Sequence, residues 1–443
     1  MSRLLTGLMP LLLLGSAPAF AALPSAPSAP LVAAIEDEIE LPEDAELEAY
    51  RVRLLEVAFE AVRRYPTIPH RKNQARIVDE LVLAALELDL PELALKMIPS
   101  AGNWRRGAGY AYYSEYCAEH GFEAAARKYG QIALKVAEND DMTDSQKWRG
   151  DRVRSFVGRT WVRLGEVERA LAAEGAYESS ERGRLRAVIA EMYEDETPEA
   201  VVARTRELLL SGEFDILKNA YPELGQLYRE WCANSDARAS ILELVDGDER
   251  LPLPLDEDGN VIEQKDEARL RSMWVAMPLD IRVETLAELS VAASECGQAE
   301  VALTLAKRCD TIVELGGRTR AEIYTGMLAS MALAYWKAGE VDQATRCAVE
   351  AQFAFEEDYE LTPSMYRAET LRPLAEAQWR MGIDDQARIT FARVLEEGAV
   401  NANSRPRGDD LAQTLISMAK LEFEPTPEMW ERIEQIADRV FPK

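Results

Sequence analysis

Trp336-Lys337 and Trp379-Arg380 set an indole beside a cation twice, 43 residues apart. An indole gives a flat apolar face for stacking, and its neighbour gives positive charge for a polar or acidic ligand. A second set is Arg152, Arg159 and Arg163, with Phe156 in the same stretch. Offsets of 7 and 11 put the three arginines on one face of a helix. Both sets suit non-covalent recognition: stacking of a peptide or glycan by the indoles, and pairing with partner carboxylates by the arginines. Each also has a plainer reading. The indoles could pack between neighbouring helices with their cations in solvent, and the arginines could pair with nearby acids such as Glu166 and Glu168.

Covalent chemistry finds less support. The only histidines are His70 and His120, and no H-E-x-x-H or C-x-x-C occurs, so no metal or cofactor is expected. His120, before Gly121, suits a helix C-terminus. The stretch DEDGNVIE at 256–263 resembles a calcium loop, but with Gly259 sixth, the first and twelfth places fall on Pro254 and Lys265. No nucleophile elbow or phosphate-cradling glycine loop appears. Carboxylates are too many for any two to be named as acid and base. An enzyme would bury two of them in one pocket and raise the pKa of one. A binding scaffold would instead show an open groove with aromatics and cations exposed.

The bulk numbers narrow the partner. Asp and Glu number 78 against 51 Lys and Arg, a net charge of −27, which repels nucleic acid and anionic lipid. Arg3, the apolar run around Leu11–Leu14 and Ala19-Phe20-Ala21 have the form of a secretory signal peptide over 1–21. The expectation is an exported, periplasmic or secreted chain with no stable membrane insertion after cleavage. Residues 22–48, Pro-rich and then acidic, read as a disordered leader. The five cysteines have no framework spacing and read as small buried residues on helices.

From about Glu46 onward the pattern is helical, with breaks at Gly or Pro. Only 251–263, with Asp258-Gly259, has the form of a hairpin or irregular loop. Gly297, Gly339 and Gly382 are 42 and 43 residues apart. Seven residues before them stand Ser290, Ala332 and Ala375, and five after them Ala302, Ala344 and Ala387. Looser copies surround Gly121, with Ser114 and Ala126, and Gly165, with Gly158 and Ala170. Cys232 holds the glycine place between Gly225 and Ala237. Two antiparallel helices joined by a tight turn approach closely only where small residues face each other. The spacing therefore predicts helical hairpins with a small-residue seam, flanked by larger residues such as Leu328, Met331 and Tyr335.

The frame resembles the tetratricopeptide repeat, on Leu224-Gly225-x-x-Tyr228, Met331-Ala332-x-x-Tyr335 with Ala344-x3-Ala348, and Leu374-Ala375 with Ala387-x3-Phe391. The resemblance implies an all-α solenoid, a right-handed superhelix of stacked antiparallel hairpins, whose first helices line a concave groove. It departs from the family in its 42–43-residue spacing, where the family repeats at about 34. The expected organisation is degenerate repeats over 49–245, an irregular insert over 246–268 and clearer repeats over 269–443. Carried over by position, the groove residues are Ala329, Ser330, Leu333, Trp336 and Lys337, then Arg372, Glu376, Trp379 and Arg380, with Arg152, Phe156, Arg159 and Arg163 in an earlier unit. The implied function is non-catalytic binding of a protein or peptide. The alternative is an enzyme, or accessory subunit, of envelope polysaccharide or peptidoglycan built on a helical-repeat ring.

Overall fold

The computed structural model describes residues 39–139, 147–174, 197–212, 214–247 and 266–441. The signal-peptide reading, most of the leader and the 251–263 loop lie outside them. The first half contains α1 (Ala49–Arg63), α2 (Thr67–Glu87), α3 (Pro91–Met97), α4 (Trp104–Glu119), α5 (Glu123–Asn139), α6 (Lys147–Arg163), α7 (Val167–Glu174), α8 (Pro198–Leu210), α9 (Phe214–Glu230) and α10 (Ser235–Glu243). The second half contains α11 (Asp266–Ala276), α12 (Leu279–Glu295), α13 (Ala299–Gly316), α14 (Ala321–Lys337), α15 (Val341–Glu357), α16 (Ser364–Arg380), α17 (Asp384–Ala399), α18 (Ser404–Lys420) and α19 (Pro427–Arg439). No strand occurs among the described residues. Sequential helices pair as hairpins, and the first helices of successive hairpins pack side by side: α4 on α6, α9 on α12, α12 on α14, and α14 on α16. This is an all-α solenoid of stacked antiparallel hairpins.

One turn recurs through the stack. Gly339 takes φ +86°, and the next N–H, of Glu340, bonds back to the Tyr335 carbonyl at 2.9 Å. Gly121, Gly165, Gly297 and Gly382 repeat that geometry, with the bonds Phe122–Cys117, Glu166–Trp161, Gln298–Ala293 and Ile383–Gln378. The left-handed residue and the long back-bond satisfy carbonyls that a helix end leaves open. Asp89 and Glu422 hold the same place with φ 54° and 57°, where a Cβ is unfavourable. Glu422→Gly is therefore expected to stabilise the fold by about 0.5–1 kcal/mol, read from the midpoint of chemical unfolding; no gain would show that the side chain compensates, for instance through Arg51. Cys232 does not have a left-handed φ. Its turn is closed differently, by the Asn234 side chain, which accepts from Asp236 and Ala237 N–H.

The seam lies where the spacing puts it. Ser114 Oγ donates to the Ala126 carbonyl at 2.6 Å, and Ser290 Oγ to the Ala302 carbonyl at 2.8 Å. Ala332, Ala344, Ala375 and Ala387 are sealed from solvent, with Leu328, Met331 and Tyr335 packed beside them. The longer spacing is taken up by 17-residue first helices and second helices of 16 to 18 residues.

Two expectations need correction. The leader is not wholly disordered: the Ala45 N–H bonds the Asp89 carbonyl at 2.8 Å, and Asp44 Oδ1 accepts from Glu92 N–H at 2.7 Å, capping α3. An acidic strap is held there because a helix start offers open N–H groups. The cysteines are not all inert fillers. Cys232 and Cys296 form a disulfide, Cα–Cα 5.4 Å, joining the ends of α9 and α12. Cys117, Cys309 and Cys347 are buried and free, and burial pushes the Cys117 and Cys347 thiols up to about 12.

The two ends of the stack meet. α1 packs on α18 as one first helix packs on the next, and α2 also touches α18. Buried Arg51 donates Nε to the Ala419 carbonyl at 2.9 Å and pairs with Glu422 at 3.2 Å. Tyr50 hydroxyl reaches the Glu422 carbonyl at 3.0 Å, Arg64 pairs with Asp438 at 3.3 Å, and Arg53 pairs with Glu434. In these pairs the leading helices bring the cations and the closing helices the acids, while Lys420 with Glu87 runs the other way. The exposed pairs contribute little by themselves but set register; Arg51, sealed between helices, contributes more.

Candidate functional site

Helical periodicity turns one side of each first helix towards the same surface. Between α12, α14 and α16 that surface sinks into a depression of about 430 Å³. Ala287, Gly326, Ala329, Ser330 and Ala377 keep its floor low, because small residues leave room between the helices. Asp280, Glu284, Glu288, Glu322 and Glu376 supply acids, and Arg380 is the single base in the lining. Arg380 lies 3.9 Å from Glu288, bridging α16 to α12 across the intervening first helix. Glu288 also takes Arg229 at 3.2 Å, close to the disulfide. Burial, then the neighbouring charges of Glu288 and Asp280, push the Glu284 carboxyl above its ordinary range.

A second cavity, of about 360 Å³, lies where α2, α16 and α18 converge. Its charged lining is Arg76, Glu80, Glu369, Arg372, Arg405, Asp409 and Asp410. Asp409 is fully engaged: it accepts from Tyr65 hydroxyl at 2.9 Å, Arg76 at 3.2 Å and Arg405 at 3.1 Å. Asp410 differs. It is 8% exposed, and its Oδ2 has no hydrogen-bond partner. Burial lifts its carboxyl to about 7 against the pull of Arg372. Burial also raises Glu80 and Asp409, and it lifts Asp79 on the same helix as Glu80 to about 6 despite Arg105. A larger cavity, about 560 Å³, lies on the opposite side, among the second helices α15, α17 and α19.

The residues singled out in the sequence divide. Ala329, Ser330, Leu333, Glu376 and Arg380 line the acidic depression, and Arg372 lines the second cavity. Lys337 is exposed at the end of α14, and Trp336 is half-buried beside it. Neither indole lines the depression. Trp379 donates Nε1–H to the Leu421 carbonyl at 2.7 Å and meets Phe423 edge-on at 4.9 Å, so it fills the junction with the next hairpin. The plainer reading holds for that indole: its amphipathic ring suits a half-buried joint with one polar atom to satisfy.

The arginine stripe of α6 faces α4. Arg159 pairs with Glu115 at 2.7 Å, Arg163 with Glu119 at 2.9 Å, and Phe156 meets Tyr112 at 4.7 Å. Arg152 stacks over Trp148 at 5.3 Å. The partner acids are Glu115 and Glu119, not Glu166, which takes Arg127 at 2.8 Å and Arg169 at 2.8 Å. Arg159 and Arg163 thus form a joint between successive first helices, with their charge matched within the protein.

Of the acids in the depression the sequence pointed to Glu376 alone, and Asp280, Glu284, Glu288 and Glu322 were missed. The offsets that select Ala329, Ser330 and Leu333 around Ala332 select Ala287, Glu288 and Val291 around Ser290, and all of them line the depression. That signal was present. Nothing local pointed to Asp410 among 78 acids.

Among the described residues no group of three or more His, Cys, Asp or Glu side chains is placed to hold a metal, and no helix is long and apolar enough to cross a membrane. No protein-family model matches the chain. No curated protein matches it either. Among solved structures it is similar to a "circular tandem repeat protein with novel repeat topology and enhanced subunit contact surfaces", at 17% identity over 88% of this chain and 94% of that chain, with a TM-score of 0.25. A likeness that distant carries no functional argument.

Proposed function

We propose that this chain is an exported, non-catalytic scaffold of tetratricopeptide-like hairpins that holds a basic protein or peptide segment against the face built by its first helices. The acidic depression between α12, α14 and α16 carries the reading. Its low floor admits a side chain or an extended backbone, and its acids outnumber its one base. Clustered carboxylates, whose charge helps to push Glu284 above its ordinary range, favour a cationic occupant, which relieves their repulsion. The Cys232–Cys296 disulfide supports the export reading, since such bonds persist in oxidising compartments.

The test is titration of decalysine into the protein by calorimetry at low and at moderate salt. Glu284→Gln with Glu322→Gln is expected to weaken binding at least tenfold and to reduce its salt dependence, with the helical circular dichroism unchanged. Equal binding by the double variant would overturn the reading.

The envelope-polymer enzyme has one observation in its favour, since Asp409 and Asp410 share a cavity and Asp410 titrates near neutrality. The pair does not make an acid and a base. Asp409 is saturated by Tyr65, Arg76 and Arg405, which leaves it no free approach to a substrate.

A further inference from the structure

The cavity at the meeting of α2, α16 and α18 contains two charged groups that the fold leaves incompletely used. Arg372 has one long ion pair, Nε to Glu376 at 3.7 Å, beyond hydrogen-bond reach. Its planar fork of donors is suited to a carboxylate. Asp410 is more than nine-tenths buried, and its Oδ2 lacks a partner. Leaving a buried carboxylate oxygen unsatisfied is costly, so such a group asks for an explanation. Most of the other charged groups are already matched: Arg76 and Arg405 hold Asp409, and Glu80 takes Arg76 at 3.0 Å and Gln413, while Glu369 adds a second carboxylate near Asp410 for an ammonium to meet. Asp410 lines both this cavity and a smaller space beside Gly398; its Oδ2 lies on the Gly398 side, which leaves the other oxygen for an occupant of the cavity. Met365 and Tyr366, both partly exposed, add an apolar wall on α16.

We propose that this cavity binds a small zwitterion of amino-acid size, its carboxylate on the Arg372 guanidinium and its ammonium on Asp410. A plain carboxylate would satisfy Arg372 and face Asp410 with like charge. A plain amine would satisfy Asp410 and meet the guanidinium. Only a molecule with both ends answers both groups, and about 360 Å³ accommodates one with its side chain along Met365 and Tyr366. The site contacts both ends of the chain, α2 and α18, so its occupant would fasten the junction between them. It does not depend on the acidic depression.

The test titrates the whole protein with each of the twenty amino acids, with acetate and ethylamine as single-charge probes, by thermal shift and calorimetry. At least one amino acid is expected to raise the unfolding temperature and to bind at millimolar concentration or below, at least tenfold tighter than either probe. Asp410→Asn and Arg372→Gln should each weaken that binding at least tenfold with circular dichroism unchanged. Arg372→Lys should retain part of it, while Glu284→Gln, in the other site, leaves it intact. No binding by any amino acid, equal binding by acetate or ethylamine, or binding that survives both substitutions would overturn the assignment.

Discussion

Asp410→Asn should make the protein more stable at pH 8, by about 2–4 kcal/mol, and change it little at pH 4. The carboxyl is buried, its Oδ2 is unpaired, and its pKa stands at about 7. The folded chain therefore holds this proton more tightly than the unfolded chain, where a carboxyl titrates in its ordinary acidic range. Above about pH 7 the folded state bears the full cost of a buried charge. As pH falls through that value towards the ordinary range the cost disappears, so wild-type stability should rise on mild acidification. Asp79, lifted to about 6, acts in the same direction. Asparagine has no charge to bury, so the variant's denaturation midpoint should vary less between pH 5 and 8. A gain of equal size at both pH values, or a loss at pH 8, would show that the carboxylate is satisfied. A group retained at such a cost beside an under-used arginine fits a binding role better than a structural one.

Gly225→Val should cost about 2–3 kcal/mol, and Gly225→Ala roughly half as much. A Cβ at Gly225 would stand 3.0 Å from Glu288 Cβ and 3.1 Å from the Glu288 backbone carbon. The obstacle is main chain on α12, which cannot swing aside as a side-chain tip would. The helices must separate, yet the Cys232–Cys296 disulfide and the Arg229 pairs with Glu288 and Glu295 hold them together. Thermal unfolding of the Gly, Ala and Val series should show a graded loss. Because Glu288 lines the acidic depression, decalysine affinity should fall in the same order. An alanine variant as stable as wild type would show that the crossing can give.

Gly225 also shows how far sequence reading reached. It was found as the small residue seven before Cys232, and it does mark a close approach. Its neighbour, however, is Glu288 on the next first helix, whereas the seam pattern placed it within its own hairpin. A small residue reports that two rods touch, but not which rod is the second. The same limit explains the arginines of α6. Helical offsets showed that Arg159 and Arg163 share a face, and only the packing of α4 against α6 showed that Glu115 and Glu119 meet them. Trp379 follows this logic too, since its polar partner is a carbonyl 42 residues on.

By itself the sequence determined the helices, the tight turns at the helix-breaking glycines and the small-residue seam of the clear hairpins. These follow from interactions within about a dozen residues, which the 3.6-residue period and the steric freedom of glycine make legible. The tertiary structure alone decided that α1 closes against α18, that Cys232 meets Cys296, and that Arg372 and Asp410 share a cavity. Those facts depend on how small angles between successive hairpins accumulate. Arg51 reaches Ala419 across 368 residues of chain, and no local pattern encodes a distance summed over that many packed interfaces.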